Sequence, residues 1–170
     1  MGGWLVIILK IWYHIWAIMK KIALKMIYGR KLLIGKNVTW RRDFSVMKSK
    51  SAIIEIGNNC FFNNNCSIAA NSHIKIGNGC LFGEDVKIYD HNHRFNQSIP
   101  LKEQGYSCGE IRIADNCWIC SNVIILKGAD ISEGCVIGAG CVISDFIPPH
   151  SIVKQKQCYE INSIHMKENA

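Results

Sequence analysis

The stretch YDHNHRF puts Asp90, His91, His93 and Arg94 side by side. Imidazole is the side chain best suited to general-base work near neutral pH, because its ordinary pKa lies near ~6.5. One histidine within hydrogen-bond reach of a hydroxyl can take its proton as the oxygen attacks an activated carbonyl. Asp90 could orient an imidazole, or could simply turn a corner. Glu103 and Tyr106 follow a few residues later and could touch a second substrate. The nine cysteines are the other reactive group in the chain. Their number is odd and no cleavable signal sequence is evident, so reduced thiols are expected rather than a secreted disulfide framework.

The elements that must carry these residues follow from a period of six. The chain reads IGNNCF, FNNNCS and IAANSH over 56–73, then IGNGCL and FGEDVK over 76–87, and Ile88. After an interruption it resumes as IADNCW, ICSNVI, ILKGAD, ISEGCV and IGAGCV over 113–142, reaching Ile143. A weaker block starts at Ile34, with Trp40 and Val46 in phase. A helix needs apolar residues at 3.6-residue spacing and an exposed strand needs alternation by two. A period of six fits a triangular coil instead, with three short strands joined at corners of Gly, Asn or Asp, and with the first residue of each hexad pointing inward. Such coils stack at about 4.8 Å and must come in series, because none buries its apolar face alone. Cys60, Cys66, Cys80, Cys117, Cys135 and Cys141 all take the fifth hexad position, shared with Val123 and Ala129, where a free thiol serves as a small hydrophobe. Cys108, Cys120 and Cys158 lie off the pattern.

Residues 1–31 differ from the rest. Trp4–Leu9 and Ile11–Met19 are apolar apart from His14, with Lys10 between them, and Lys20, Lys21, Lys25, Arg30 and Lys31 follow. The run is short for a membrane span, and the order of charges reverses that of a secretory signal. A helix lying in a membrane interface beside anionic lipid fits best; docking on a neighbouring subunit is the other reading. The formal charge of +7 favours a polyanionic partner, and no nucleic-acid-binding motif accompanies it.

These hexads resemble those of the hexapeptide-repeat acyltransferases, and the stretch IRIADNCWICSNVIILKGADISEGCVIGAGCVISDFIPPH over 111–150 is similar to the signature segment of galactoside, maltose and capsule or lipopolysaccharide O-acetyltransferases. The resemblance covers residues ~34–150. It implies an all-β fold, a left-handed parallel β-helix over 32–150, with the apolar helix of 1–31 before it, an extruded loop over 89–112 and a tail over 151–170. It also implies a homotrimer with acetyl-CoA in the groove between adjacent prisms, a sugar hydroxyl as acceptor, and no metal. By hexad phase, and by the likeness of Asn92-His93-Arg94 to the xenobiotic acetyltransferases, it implies His93 as base, with His91 second. It implies that backbone groups of Ser121 and Ala139 meet the pantetheine arm. Asn63 is in phase with an acceptor-contacting Asn of the family and could equally be a corner residue. Trp118 could line the cleft or pack on a neighbour, and Arg94 and Tyr106 would border the acceptor.

The chain departs from the family at Asp145, where relatives carry a Lys, and in lacking the Gly-x-Pro turn after the last coil; Lys154 and Lys156 would then serve the CoA phosphates. Membrane contact would place the chain at the cytoplasmic face of the inner membrane, on a surface glycan. Other readings are an N-acetyltransferase for amino-sugar nucleotides, a non-catalytic scaffold, and a γ-type carbonic anhydrase. The last needs a third histidine near His91 and His93, for which only His73 is at hand.

Overall fold

A computed structural model describes residues 3–156. Cys158, off the hexad pattern, lies outside them. After the helix α1 (Gly3–Tyr28) and one 3₁₀ turn (Gly29–Lys31), the chain forms a parallel β-solenoid. The first face stacks Leu32–Ile34, Ile53–Ile56, His73–Ile76, Ile111–Ile113, Asp130–Ile131 and Phe146–Ile147. The second stacks Thr39–Trp40, Phe61–Phe62, Leu81–Phe82, Trp118–Ile119, Val136–Ile137 and Ile152–Val153. The third stacks Ser45–Lys48, Ser67–Ala70, Lys87–Tyr89, Ile124–Leu126 and Val142–Ile143. The strand at Ile152–Val153 pairs with Val136–Ile137, so coiling continues past residue 150.

The hexads supply both core and corners. Inward residues repeat from coil to coil, as in Ile56, Ile76, Ile113 and Ile131, all buried. Near the base the stack is aromatic. Trp40 lies 4.8 Å from Phe44, Phe44 4.8 Å from Phe62, and Phe62 4.3 Å from Phe82. The fourth hexad position turns the corner with positive φ at Asn37, Asp43, Asn59, Asn65, Asp85, Asn116 and Asn122, or with Gly79, Gly134 and Gly140. Asn and Asp tolerate that region best among residues with a Cβ, and Gly enters it freely. This is why those three types recur there.

The six fifth-position cysteines are buried. Four line one edge, each donating its S–H to a carbonyl of the next coil: Cys60 to Gly77, Cys80 to Ala114, Cys117 to Ser132 and Cys135 to Pro148, at 3.1–3.2 Å. Burial pushes the Cys66 thiol up, away from thiolate chemistry. Cys117 and Cys120 have the Cys-x-x-Cys spacing of redox and zinc pairs. Here the strand Trp118–Ile119 separates them, with Cys117 buried at one edge and Cys120 partly exposed at the next. No group of three metal-ligating side chains occurs among the described residues.

A strict eighteen-residue coil holds only from Ile113 to Ile131. From the first face to the second and from the second to the third, inward residues stay six apart, as in Ile34, Trp40 and Val46 or Ile76, Phe82 and Ile88. All variation in coil length falls at the third corner, between the third face and the first. The interrupted coil is the extreme case: its third-face strand ends at Tyr89 and its first-face strand resumes at Ile111.

A ladder runs up the edge between the first and second faces. Lys36 N–H donates to Asn58 Oδ1, Asn58 N–H to Asn78 Oδ1 and Asn78 N–H to Asp115 Oδ1, each at 2.8 Å. The two donors of Asn78, backbone first and side chain second, hold the Asp115 carboxyl below the usual carboxylate range. A pKa depressed on folding gives stability above the unfolded value near ~3.9, and that stability is lost as pH falls through the folded value. Asp115→Asn is therefore expected to flatten the fall of Tm between about pH 5 and pH 3. Melting curves across that range, with wild type alongside, check it.

Candidate active site

The residues of YDHNHRF leave the prism at the variable third corner. The segment expected as a loop is a β-hairpin arm, with His91–His93 antiparallel to Tyr106–Cys108. Its register pairs His91 with Cys108, Asn92 with Ser107, and His93 with Tyr106. Alternation along a strand puts His91, His93 and Tyr106 on one side of the arm, and Asn92 and Ser107 on the other.

Asp90 roots the arm and fills both roles open to it in the sequence. It is fully buried, and its carboxylate accepts from Asn71 N–H and Ser72 N–H at 2.7 Å each. These bonds make it a corner residue. It also lies 2.9 Å from His91 Nδ1, so the imidazole it orients is His91 and not His93. The His91 ring meets Tyr106 edge-on at 5.1 Å, and the His93 ring lies 4.6 Å from the same Tyr106. Contact thus passes from a buried carboxylate to one imidazole, to a phenol ring, and to a second imidazole that is exposed.

Two shallow cavities flank the arm. One of about 300 Å³ lies between His91, Tyr106, the third-face residues Met47 and Ala69, and Asn71 at the corner. The other, of about 430 Å³, is lined by His93, Asn92, Arg94, Ser107 and Lys127 among others. Arg94 Nε donates to Tyr106 O at 3.1 Å, and Lys127 Nζ to Ser107 Oγ at 2.6 Å, so two cations brace the arm. Glu103 sits in a short 3₁₀ turn and is exposed. Sequence reasoning missed Gln104, the buried amide that folds the arm's tip. Its Nε2 donates to Ile99 O at 2.7 Å and Gln97 O at 3.1 Å, and its Oε1 accepts from Gln97 N–H at 3.1 Å. A lone Gln in a polar segment gives no signal in the sequence. His73 is taken up by Glu55, at 2.7 Å from its Nε2.

The other expected site residues gather along a different edge, between the second and third faces. Asn63, Ser121, Ala139, Lys154 and Lys156 all lie there, and Trp118 projects outward beside it, half-exposed. Asn63 has a local job: its Oδ1 accepts from Asn64 N–H at 2.9 Å. On this edge too, a corner N–H is capped by the next coil, as Glu84 N–H is by Ser121 Oγ at 3.1 Å. Above Ser121 the capping position is Ala139, which has no side-chain acceptor, so the ladder stops and the Ser121 N–H is left open to an incoming carbonyl. Lys154 and Lys156 are exposed one coil further on. Asp145 is exposed too, where its Oδ2 accepts from Ser144 Oγ at 3.0 Å. A single copy therefore holds its imidazoles at one edge and its open corner amide at another.

Known proteins share the repeat and the fold. The family model "Bacterial transferase hexapeptide (six repeats)" matches residues 110–145. "Putative acetyltransferase SAV2555" of Staphylococcus aureus (strain Mu50 / ATCC 700699) is 34% identical over 112 residues, 65% of this chain and 55% of that protein. The chain thus spans about half the length of the curated relatives it matches. A crystal structure of the hexapeptide-repeat containing acetyltransferase VCA0836 of Vibrio cholerae O1 biovar eltor, complexed with acetyl coenzyme A, superposes with a TM-score of 0.62 at 25% identity, covering 79% of this chain and 70% of that one. AntD, an N-acyltransferase of Bacillus cereus, shares the fold at a TM-score of 0.51 and 17% identity, covering 78% and 79%. Residues 110–145 thus carry the hexapeptide repeat of bacterial transferases, and most of the chain is similar in fold to a hexapeptide-repeat acetyltransferase.

Proposed function

We propose that the chain transfers an acetyl group from acetyl-CoA to a sugar hydroxyl, with His93 as general base. The observation that carries this reading is the arm itself: a two-histidine hairpin, rooted by a buried carboxylate, at the one corner where the solenoid admits insertions. Acetyl-CoA is a substrate in this account. Its amide-bearing pantetheine arm would meet the open Ser121 N–H and the neighbouring backbone at Ala139, and Lys154 and Lys156 would face its phosphates.

In the reaction, the neutral imidazole of His93 takes the proton of the acceptor hydroxyl as its oxygen attacks the thioester carbonyl. A backbone N–H aimed at the developing oxyanion stabilises the tetrahedral intermediate. The intermediate collapses to the ester and expels the CoA thiolate, which receives the proton held by the imidazolium. Asp90, His91 and Tyr106 act by positioning, since they fix the ring that His93 rests on.

The arm and the open corner amide stand on different edges, which supports a site completed between adjacent copies, in a homotrimer. Asn63, Trp118, Arg94 and Tyr106 would border the acceptor, a sugar of a surface polysaccharide or lipid-linked glycan. The alternative acceptor is an amino group on a nucleotide-linked sugar, favoured by the likeness in fold to an N-acyltransferase. Release of CoA thiol against paired hydroxy and amino sugars separates the two. No release with any acceptor, together with no CoA binding, would leave a scaffold.

Placing Asn at Ala139 would extend the ladder and occupy the Ser121 N–H, as Asn58 and Asn78 do on the neighbouring edge. Ala139→Asn is expected to weaken CoA binding by about 10-fold, the worth of one hydrogen bond, with the fold intact. Calorimetric titration with CoA and a melting curve read the two parts separately.

A further inference from the structure

The helix α1 crosses the open end of the first coil and does two jobs with two faces. Ala17 and Leu24 are buried against the coil, and Lys20 and Lys21 donate to the carbonyls of Phe44 and Gly35 at its rim. Tyr28 Oη donates to Val46 O at 3.1 Å, and Lys31 Nζ to Lys50 O at 3.1 Å. Three cations that read in the sequence as a lipid-facing flank thus cap the solenoid instead.

The opposite face has no packing partner among the described residues. Ile8, Ile11, Ile15, Met19, Ile22 and Met26 recur at three- and four-residue spacing, which is one side of a helix, and each is at least half exposed. Trp4, Trp12, Trp16 and Ile18 flank this stripe and are exposed as well, so the apolar arc is wider than the narrow seam of a coiled coil. No helix among the described residues is long and apolar enough to cross a membrane.

Charge is distributed to match. Residues 1–50 hold 11 Lys and Arg and a single acid, Asp43, while residues 51–170 hold 9 Lys and Arg against 12 acids. Around the helix, Lys25, Arg30, Lys36, Arg41 and Arg42 are exposed. A broad aromatic and aliphatic arc beside cations is the composition of a helix lying in the headgroup region of an anionic bilayer.

We propose that α1 and the basic end of the solenoid dock this chain on an anionic lipid surface, with the helix lying in the interface and the coils rising away from it. This goes beyond acyl transfer and stands or falls independently of it.

Sedimentation of the full chain with vesicles is the test. Wild type is expected to pellet with phosphatidylglycerol–phosphatidylcholine vesicles, less so as salt rises, and weakly with phosphatidylcholine alone. Ile15→Glu combined with Ile22→Glu is expected to cut binding by about 10-fold or more, since both side chains leave an apolar medium. Arg41→Glu combined with Arg42→Glu is expected to remove the preference for anionic vesicles. Both pairs are exposed, so melting curves should stay near wild type. Failure of wild type to pellet with anionic vesicles would overturn the proposal. So would pelleting unaffected by the Ile15 and Ile22 changes. If those changes instead alter the oligomeric mass by light scattering while vesicle binding is absent, a second copy covers the stripe.

Discussion

His93→Ala is expected to lower kcat for acetyl transfer by about 10²- to 10⁴-fold, the usual worth of a positioned general base. The KM for acetyl-CoA should change little, because its binding is assigned to the Ser121 and Ala139 backbone and to Lys154 and Lys156, while the imidazole acts on the acceptor hydroxyl. The side chain is exposed and rests on the Tyr106 ring outside the core, so Tm should change little. His91→Ala separates base from positioning. It removes the edge contact to Tyr106 and one partner of Asp90, and should cost less in kcat than loss of His93. The opposite order would make His91 the base, with Asp90 fixing its tautomer.

The second large effect is expected at Asp90. The side chain is fully buried and receives two backbone N–H bonds besides the imidazole. Asp90→Ala leaves the amides of Asn71 and Ser72 without an acceptor, at about 1–3 kcal/mol each. A fall in stability of about 2–5 kcal/mol follows, together with a loss of kcat as the arm loses its root. Asp90→Asn keeps the shape, but its one carbonyl oxygen cannot serve both amides and the imidazole, so a smaller loss of the same kind is expected. Denaturant melts and steady-state rates on the two variants check both parts. Unchanged stability in Asp90→Ala would show that the corner is held by other means.

The core was legible because its signal is redundant. Every inward Ile, Phe or Val at the first hexad position and every small residue at the fifth makes the same statement, and no helical or alternating pattern competes. The corners were legible through Asn, Asp and Gly, whose tolerance of positive φ is a property of the single residue. The arm was legible only in place. Its long connection hides the hairpin, because no two-residue turn links His91–His93 to Tyr106–Cys108. Gln104 was invisible for a similar reason, since its worth depends on the carbonyls of Gln97 and Ile99 folding back around it.

Partner choice was the least legible feature. Lys20 and Lys21 carry the same charge whether they face lipid or a backbone carbonyl, and only the packing of α1 on the first coil decides. Partial burial lowers the pKa of both ammonium groups, as a capping role against protein would. Asp90 likewise could turn a corner or orient a ring, and it does both. Ser121 was reached through resemblance, while the physical reason for an open N–H there lies one coil away, in the missing acceptor at Ala139.

The most direct test of the central claim is to incubate the full chain with acetyl-CoA and a panel of hydroxy sugars, amino sugars and their nucleotide- or lipid-linked forms, and to identify the acylated product by mass spectrometry and hydroxylamine lability. Acceptor-dependent CoA release and an alkali- and hydroxylamine-labile acetyl ester on a sugar oxygen are expected, formed about 10²- to 10⁴-fold more slowly by His93→Ala. An acetyl group stable to hydroxylamine on a sugar nitrogen would contradict the hydroxyl acceptor. Product formed at the wild-type rate by His93→Ala would contradict the role of the arm.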